Sequence, residues 1–161
     1  MTTKVLLRDQ LLSTLAGERT QGKRIVFTNG CFDLLHVGHT RYLQAAKALG
    51  DVLVVGVNSD SSVRTLNKAS DRPILPEAQR AEVLAALGCV DFVVMFDESE
   101  PLQLINVVQP DVLVKGADWA EDAIIGRETV EARGGRVIRM KIEAGWSTSA
   151  IIEKARTATG R

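Results

Sequence analysis

Both histidines of this chain, His36 and His39, stand three residues apart in Leu34-Leu-His36-Val-Gly-His39, just after a short apolar run. On a helix that spacing puts the two imidazoles on one face. A helix start also offers unpaired N–H groups and the positive end of the helix dipole, which together bind anions. Gly38, between the histidines, carries no Cβ and lets a phosphate approach the backbone closely. Gly30, at the end of the apolar run, can open the turn that gathers these amides. The chemistry such a group suits is phosphate handling, with donors aimed at oxygens on which charge grows. Two other readings stand beside it. As metal ligands the pair is incomplete, because neither Cys31 nor Cys89 stands where it would finish a tetrahedron. As packing residues, two histidines at a helix start suit an apolar interior poorly. Cys31 as a nucleophile would want an adjacent base and a third orienting group, and only His36 is near in sequence. Cys89 reads as core.

The elements that must position this group follow from hydrophobic periodicity. Five short, β-branched runs read as strands covered on both faces: Arg24–Thr28, Val52–Val57, Phe92–Phe96, Val112–Lys115 and Arg136–Met140. Helical patterns lie between them, over Arg41–Leu49, Glu77–Leu87, Pro101–Val108, Glu121–Arg133 and Thr148–Arg156. An amphipathic stretch, Leu6–Ala16, predicts a first helix packed on the outside. Glycine and proline mark the handovers at Gly50-Asp51, Gly88-Cys89, Gln109-Pro110-Asp111 and Gly134-Gly135. The alternation predicts an α/β chain: one Rossmann-like, doubly wound, parallel five-stranded sheet with helices on both faces. It forms a single domain over residues 1–161, with its core over about 22–156. Asn58–Pro76 is the longest irregular stretch, and a loop of that length is usually functional or mobile. Ligands of such sheets bind beyond the carboxyl ends of the strands, where strand order reverses. The segment holding the histidines is one of these ends.

Composition narrows the classes. The chain has 161 residues, 45% hydrophobic and 25% charged, as in a globular protein. Lys and Arg total 20 and Asp and Glu total 20, so net charge is zero. That balance excludes nucleic-acid binding through bulk positive charge. Two cysteines exclude a disulfide framework and point to a reducing compartment. No apolar run approaches the roughly 20 residues of a membrane span. The expectation is a soluble, cytoplasmic protein with neither nucleic-acid nor membrane partners. Neither the P-loop nor the dinucleotide fingerprint occurs.

His36-Val37-Gly38-His39 resembles the His-x-Gly-His signature of the nucleotidyltransferase superfamily that includes the cytidylyltransferases. The longer stretch Phe27–His39 is close to the form found in bacterial heptose 1-phosphate adenylyltransferases. Further similar segments are Val57–Asp60, Arg72-Pro73, Gln79-Arg80, Asp111–Gly116 and the block from Gly145 to Thr148. They run in order over residues of about 20 to 155, and the chain resembles the free-standing form of that family rather than the form fused behind a sugar kinase. The resemblance implies transfer of AMP from ATP to heptose 1-phosphate, giving ADP-heptose and pyrophosphate, with Mg²⁺ accompanying ATP and no resident metal. It further implies a homodimer that works beside a separate heptose 7-phosphate kinase. His36, His39 and Lys68 are the expected catalytic residues. Asn29, Gly30, Cys31, Phe32, Gly38, Asp118, Trp119, Ser147, Thr148 and Ser149 join the histidines in holding the nucleotide. Asp33, Asn58, Asp60, Arg80 and Lys115 are assigned to the second substrate.

Several of these have a plainer reading. Lys68 is a cover for the nucleotide phosphates or a solvated lysine, and Arg80 faces the site or forms a surface ion pair. Asp118 and Trp119 contact base and ribose or pack. Ser147-Thr148-Ser149 hold the outer phosphates or cap a helix. Asp33 orients its loop or helps hold Mg²⁺. The chain departs from the family's usual Gly-Gly-Asp-Tyr at Gly116-Ala117-Asp118-Trp119 and from Ser-Thr-Thr at Ser147-Thr148-Ser149, and Trp146 stands where smaller or basic residues are common. Related cytidylyltransferases carry an arginine where Ile142 stands, which weakens a CTP-dependent reading. A CTP-dependent cytidylyltransferase for glycerol 3-phosphate or a similar small phosphate, and a nucleotide sensor without turnover, remain the alternatives.

Overall fold

A computed structural model describes residues 4–66, 71–117, 120, 123–141, 145 and 147–159. Five strands, β1 (Ile25–Gly30), β2 (Val52–Asn58), β3 (Phe92–Phe96), β4 (Val112–Gly116) and β5 (Arg136–Met140), form one sheet in the order β3-β2-β1-β4-β5. Every pairing is parallel, so the doubly wound α/β fold is borne out. The helices are α1 (Arg8–Thr20), α2 (Val37–Lys47), α3 (Asp60–Thr65), α4 (Glu77–Ala85), α5 (Leu102–Val108), α6 (Arg127–Ala132) and α7 (Thr148–Thr159).

The period-2 geometry of the strands divides their apolar residues between two cores. Ile25 and Phe27 of β1, with Val52 and Val54 of β2, join Leu11 and Leu15 of α1 and Leu104, Ile105 and Val108 of α5. Val26, with Leu53, Val55 and Val57, points the other way onto Leu43 and Ala46 of α2 and Ala81 and Leu84 of α4. Burying each Leu or Ile contributes about 1.5–3 kcal/mol, and both faces are covered this way. The continuous hydrophobicity of the strands follows from that.

Beyond shifts at the ends of several elements, three differences from the sequence reading bear on the fold. The first helix runs longer, to Thr20, and is not peripheral: Leu11 and Leu15 are fully buried, and Val5 bridges to Val93 beside edge strand β3. Asn58–Pro76 is not wholly irregular. Asn58 closes β2, and α3 follows, with the Ser59 hydroxyl accepting from the Ser62 amide at 3.2 Å. A six-residue helix is too short for its periodicity to show. Helix α6 starts only at Arg127, because Gly126 takes a positive φ of 86° as its N-cap. A Cβ at Gly126 would lie 2.6 Å from an Ile105 methyl. Among the described residues no helix is long and apolar enough to cross a membrane.

The reversal of strand order lies at β1, which has β2 on one side and β4 on the other. Strand β1 pairs with β2 over six positions but with β4 over only two, Val26 with Val112 and Phe27 with Leu113. Beyond these the two strands part, and the crevice they leave opens at their carboxyl ends.

Candidate active site

The crevice is the mouth of a cleft of about 620 Å³. Strand β1 delivers Asn29 and Gly30 to its wall, and β4 delivers Lys115 and Gly116. Across the gap between the strands the Lys115 ammonium donates to Asn29 Oδ1 at 2.5 Å, and Lys115 is 8% exposed. The loop from β1 to α2 adds Cys31, Phe32 and Asp33, and α2 adds Gly38 and His39 with His36 at its N-cap. Phe32 holds a positive φ of 47°, a strained conformation for a residue with a bulky side chain. That bend buries the Phe32 ring in the second core and sets it edge-on to His39 at 5.3 Å. A Cβ at Gly30 would come within 3.1 Å of the same ring.

The histidines meet as the spacing predicts. His36 is in extended conformation at the N-cap, and its ring stacks on that of His39 at 3.9 Å with 26° between the planes. Nδ1 of each ring is buried with no hydrogen-bond partner, and both residues line the cleft. Burial pushes the His36 imidazole below its ordinary pKa. Burial first, and the neighbouring His36 second, push His39 down to about 4 against the opposing Leu34 backbone. In the free protein both rings are therefore neutral at pH 7. A bound anion supplies the missing partner for the proton.

The loop is clamped by Asp33. Its carboxylate is fully buried and accepts from Arg72 Nε at 2.5 Å and from the Ile74 and Leu75 amides at 2.9 Å. Burial pushes this carboxyl up, but the Leu75 and Ile74 amides and the Arg72 guanidinium outweigh it and hold it below the usual carboxylate range. Of the two readings of Asp33, loop orientation is the one these bonds carry out. Among the described residues, no three His, Cys, Asp or Glu side chains stand together as metal ligands. Asp33 is also the one carboxylate in the described cleft wall, and its oxygens are already engaged. The described residues of the cleft wall thus gather no ligand set for a metal ion.

Arg80 lies elsewhere. It is 1% exposed and does not line the cleft. Its Nε donates to the Leu75 carbonyl, Nη1 to the Cys31 carbonyl at 2.6 Å, and Nη2 to Asp60 Oδ1 at 2.8 Å. It is neither a surface ion pair nor a cleft residue but a buried tie between three segments, and Asp60 serves that tie from outside the cleft. Asn58 does line the cleft, while its side-chain amide donates to Ser62 Oγ.

At the far side α7 begins. The Ser147 hydroxyl accepts from the Ala150 amide, the capping role open to any such residue. The Thr148 hydroxyl donates to the Leu34 carbonyl at 3.2 Å and so ties α7 to the loop that carries the histidines. Both residues line the cleft, and Ser149 does not. Lys68, Asp118 and Trp119 lie outside the described residues, as do Ile142 and Trp146. Tyr42, Leu66, Arg72, Ser99, Pro101 and Ile125 complete the wall without having been assigned from sequence. Arg72 was visible only as part of the Arg72-Pro73 pair in a polar stretch; its partner Asp33 lies 39 residues away. Cys89 is partly buried against the second core, with burial pushing its thiol up.

A helix start set where a parallel sheet reverses its strand order is the place where open α/β proteins hold their ligands. Comparison with known proteins takes this further. Residues 27–154 match the cytidylyltransferase-like family, and the chain belongs to it. It is 56% identical over 156 residues to a bifunctional protein HldE of Geotalea uraniireducens, which covers 97% of this chain and 32% of that protein. It is 54% identical over 157 residues to the bifunctional protein HldE of Geobacter sulfurreducens, at 98% and 32%. The chain thus spans about a third of the length of these curated relatives. Among solved structures, a lipopolysaccharide core biosynthesis protein of Thermoplasma volcanium superposes with a TM-score of 0.63. It is 33% identical and covers 76% of this chain and 98% of its own. A pantoate–β-alanine ligase of Francisella tularensis, 17% identical, shares the fold at a TM-score of 0.60, over 97% of this chain and 77% of its own.

Proposed function

We propose that this chain is a nucleotidyltransferase domain that transfers AMP from ATP to heptose 1-phosphate, releasing pyrophosphate and forming ADP-heptose. The observation that carries it is the stacked His36–His39 pair at the start of α2, both residues lining a cleft at the sheet's reversal point. The cytidylyltransferase-like match and the HldE relatives support the reaction class. The motif resemblance from Phe27 to His39, together with the lipopolysaccharide core biosynthesis neighbour, supports the sugar phosphate.

The reaction proceeds by in-line attack. An oxygen of the sugar phosphate forms a bond to the α-phosphorus of ATP, and the bond from that phosphorus to the bridging oxygen breaks. Pyrophosphate leaves with the electron pair. This chemistry asks for positioning and charge neutralisation rather than a protein nucleophile. His36 and His39 donate from Nε2 to the α-phosphate and the bridging oxygen, and the start of α2 adds its free amides. Asn29, Gly30, Cys31, Phe32 and Gly38 shape the backbone cradle, which Arg80 and Asp33 hold in place. Ser147, Thr148 and Ser149 offer the start of α7 to the outer phosphates. The proposal assigns Lys68 to the phosphates and Asp118 and Trp119 to base and ribose, and gives Asn58 and Lys115 to the sugar phosphate. Mg²⁺ enters bound to ATP as part of the substrate and neutralises phosphate charge. The proposal extends to a cytoplasmic homodimer acting after a kinase for heptose 7-phosphate.

The test is a pyrophosphate-release screen of the purified chain. It crosses ATP, CTP, GTP and UTP with heptose 1-phosphate, glycerol 3-phosphate and ethanolamine phosphate. Release with ATP and heptose 1-phosphate alone is expected. Release with CTP alone reassigns the nucleotide, and tight ATP binding with no release by any pair makes the chain a sensor.

A further inference from the structure

We propose that Arg72 is a binding residue for the phosphate of the attacking substrate, and that Asp33 aims it. This deepens the nucleotidyltransferase reading above and rests on it. Arg72 lies on the segment leading into α4 and lines the cleft, yet its side chain is only 10% exposed. It spends a single donor on the protein, Nε on Asp33. Its two Nη groups, four N–H bonds in all, have no partner among the described residues. A guanidinium held in the cleft wall, with four donors that no described protein group takes, is placed to receive an anion. The face of a phosphate monoester, with two oxygens spaced for a forked donor pair, fits that need.

The setting argues against an ordinary surface arginine. Asp33 accepts the Ile74 and Leu75 amides as well as Arg72 Nε, so backbone and side chain of this segment are fixed by one buried carboxylate. That carboxylate sits three residues before His36, which ties the aim of Arg72 to the position of the imidazoles. The guanidinium is thereby pre-set, and binding loses little side-chain entropy. The triphosphate already has the imidazoles and the two helix starts. An anionic nucleophile approaching it needs a cation of its own, and Arg72 stands in the same cleft to supply one.

The experiment measures steady-state kinetics of full-length Arg72→Gln and Arg72→Lys, varying each substrate in turn, alongside thermal unfolding. Both variants are expected to raise KM for the sugar phosphate about tenfold or more, the scale of losing charge-assisted hydrogen bonds, while KM for ATP stays within about twofold. Arg72→Lys keeps a donor for Asp33 and loses the fork. It is expected to restore the unfolding temperature but not the affinity. An unchanged KM for the sugar phosphate overturns the assignment. So does a rise confined to ATP, and full recovery of KM in Arg72→Lys overturns the forked contact, since an ammonium supplies the charge alone. If the wild type turns over a different acceptor in the screen, the heptose reading fails, and the same two variants assayed with that acceptor still decide the role of Arg72.

Discussion

The ring of His36 lies on the ring of His39, centroids 3.9 Å apart, with Nδ1 of both sealed from water and unpartnered. Two imidazoles so placed cannot both carry protons in the free protein at modest cost, because each charge is desolvated and faces the other. An anion held against the pair would favour the charged form that the free protein resists.

Stability is expected to depend on pH through this pair. His39 has a folded pKa of about 4 against an ordinary 6.5. As pH falls below about 6.5 the unfolded chain takes up a proton that the folded chain refuses until about pH 4, so stability drops across that window. Urea midpoints measured between pH 7 and 4.5 should fall, and His39→Asn should flatten the curve. Bound ATP should raise the titration midpoint of both rings in NMR, and a midpoint that ATP leaves unchanged would separate the pair from the phosphates.

Removing either imidazole is expected to cost turnover rather than folding. His36→Ala and His39→Ala should each lower kcat by about 100-fold or more, the scale of losing one transition-state donor. Far-UV circular dichroism should be unchanged. Near-normal pyrophosphate release in both variants would remove the mechanism.

Arg80 predicts a stability effect with an indirect effect on activity. Its loss leaves the Cys31 and Leu75 carbonyls and Asp60 without their donor. Arg80→Met is expected to destabilise by about 3 kcal/mol, in the range for breaking a buried charged network. Denaturant unfolding measures this directly. KM values for both substrates should rise together, since the whole loop is released.

Leu15 tests whether the first helix belongs to the core. It is fully buried among residues of the first cluster, so Leu15→Ala should cost about 3 kcal/mol. A loss under about 1 kcal/mol in chemical denaturation would mean that the helix is an ornament on a core that folds without it.

Strands and the histidine-bearing helix start were legible because their signals are local. β3 and β5 run over Phe92–Phe96 and Arg136–Met140 as read from the chain, and α2 starts at Val37, between the histidines and four residues ahead of the pattern read from Arg41. The short α3 and the late start of α6 were not legible, since six residues carry too little period. Site residues divide in the same way. His36 and His39 could be paired from spacing alone. Arg80 could not be seen as a tie, because its three partners come from three segments, and Arg72 gains its meaning only from Asp33, 39 residues away. Contacts that link distant stretches of chain leave no periodic trace.

The two-rung ladder between β1 and β4 has a wider consequence. Where neighbouring strands diverge, the space between them exists without removing a single aliphatic side chain from either interior. Much of the pocket shape is thus set by positions outside the two interiors, with Phe32 shared between cleft wall and core. Exchanges at the strand tips, such as Asn29, Lys115 or Gly116, can retune which small phosphate is accepted while the layers beneath keep their packing.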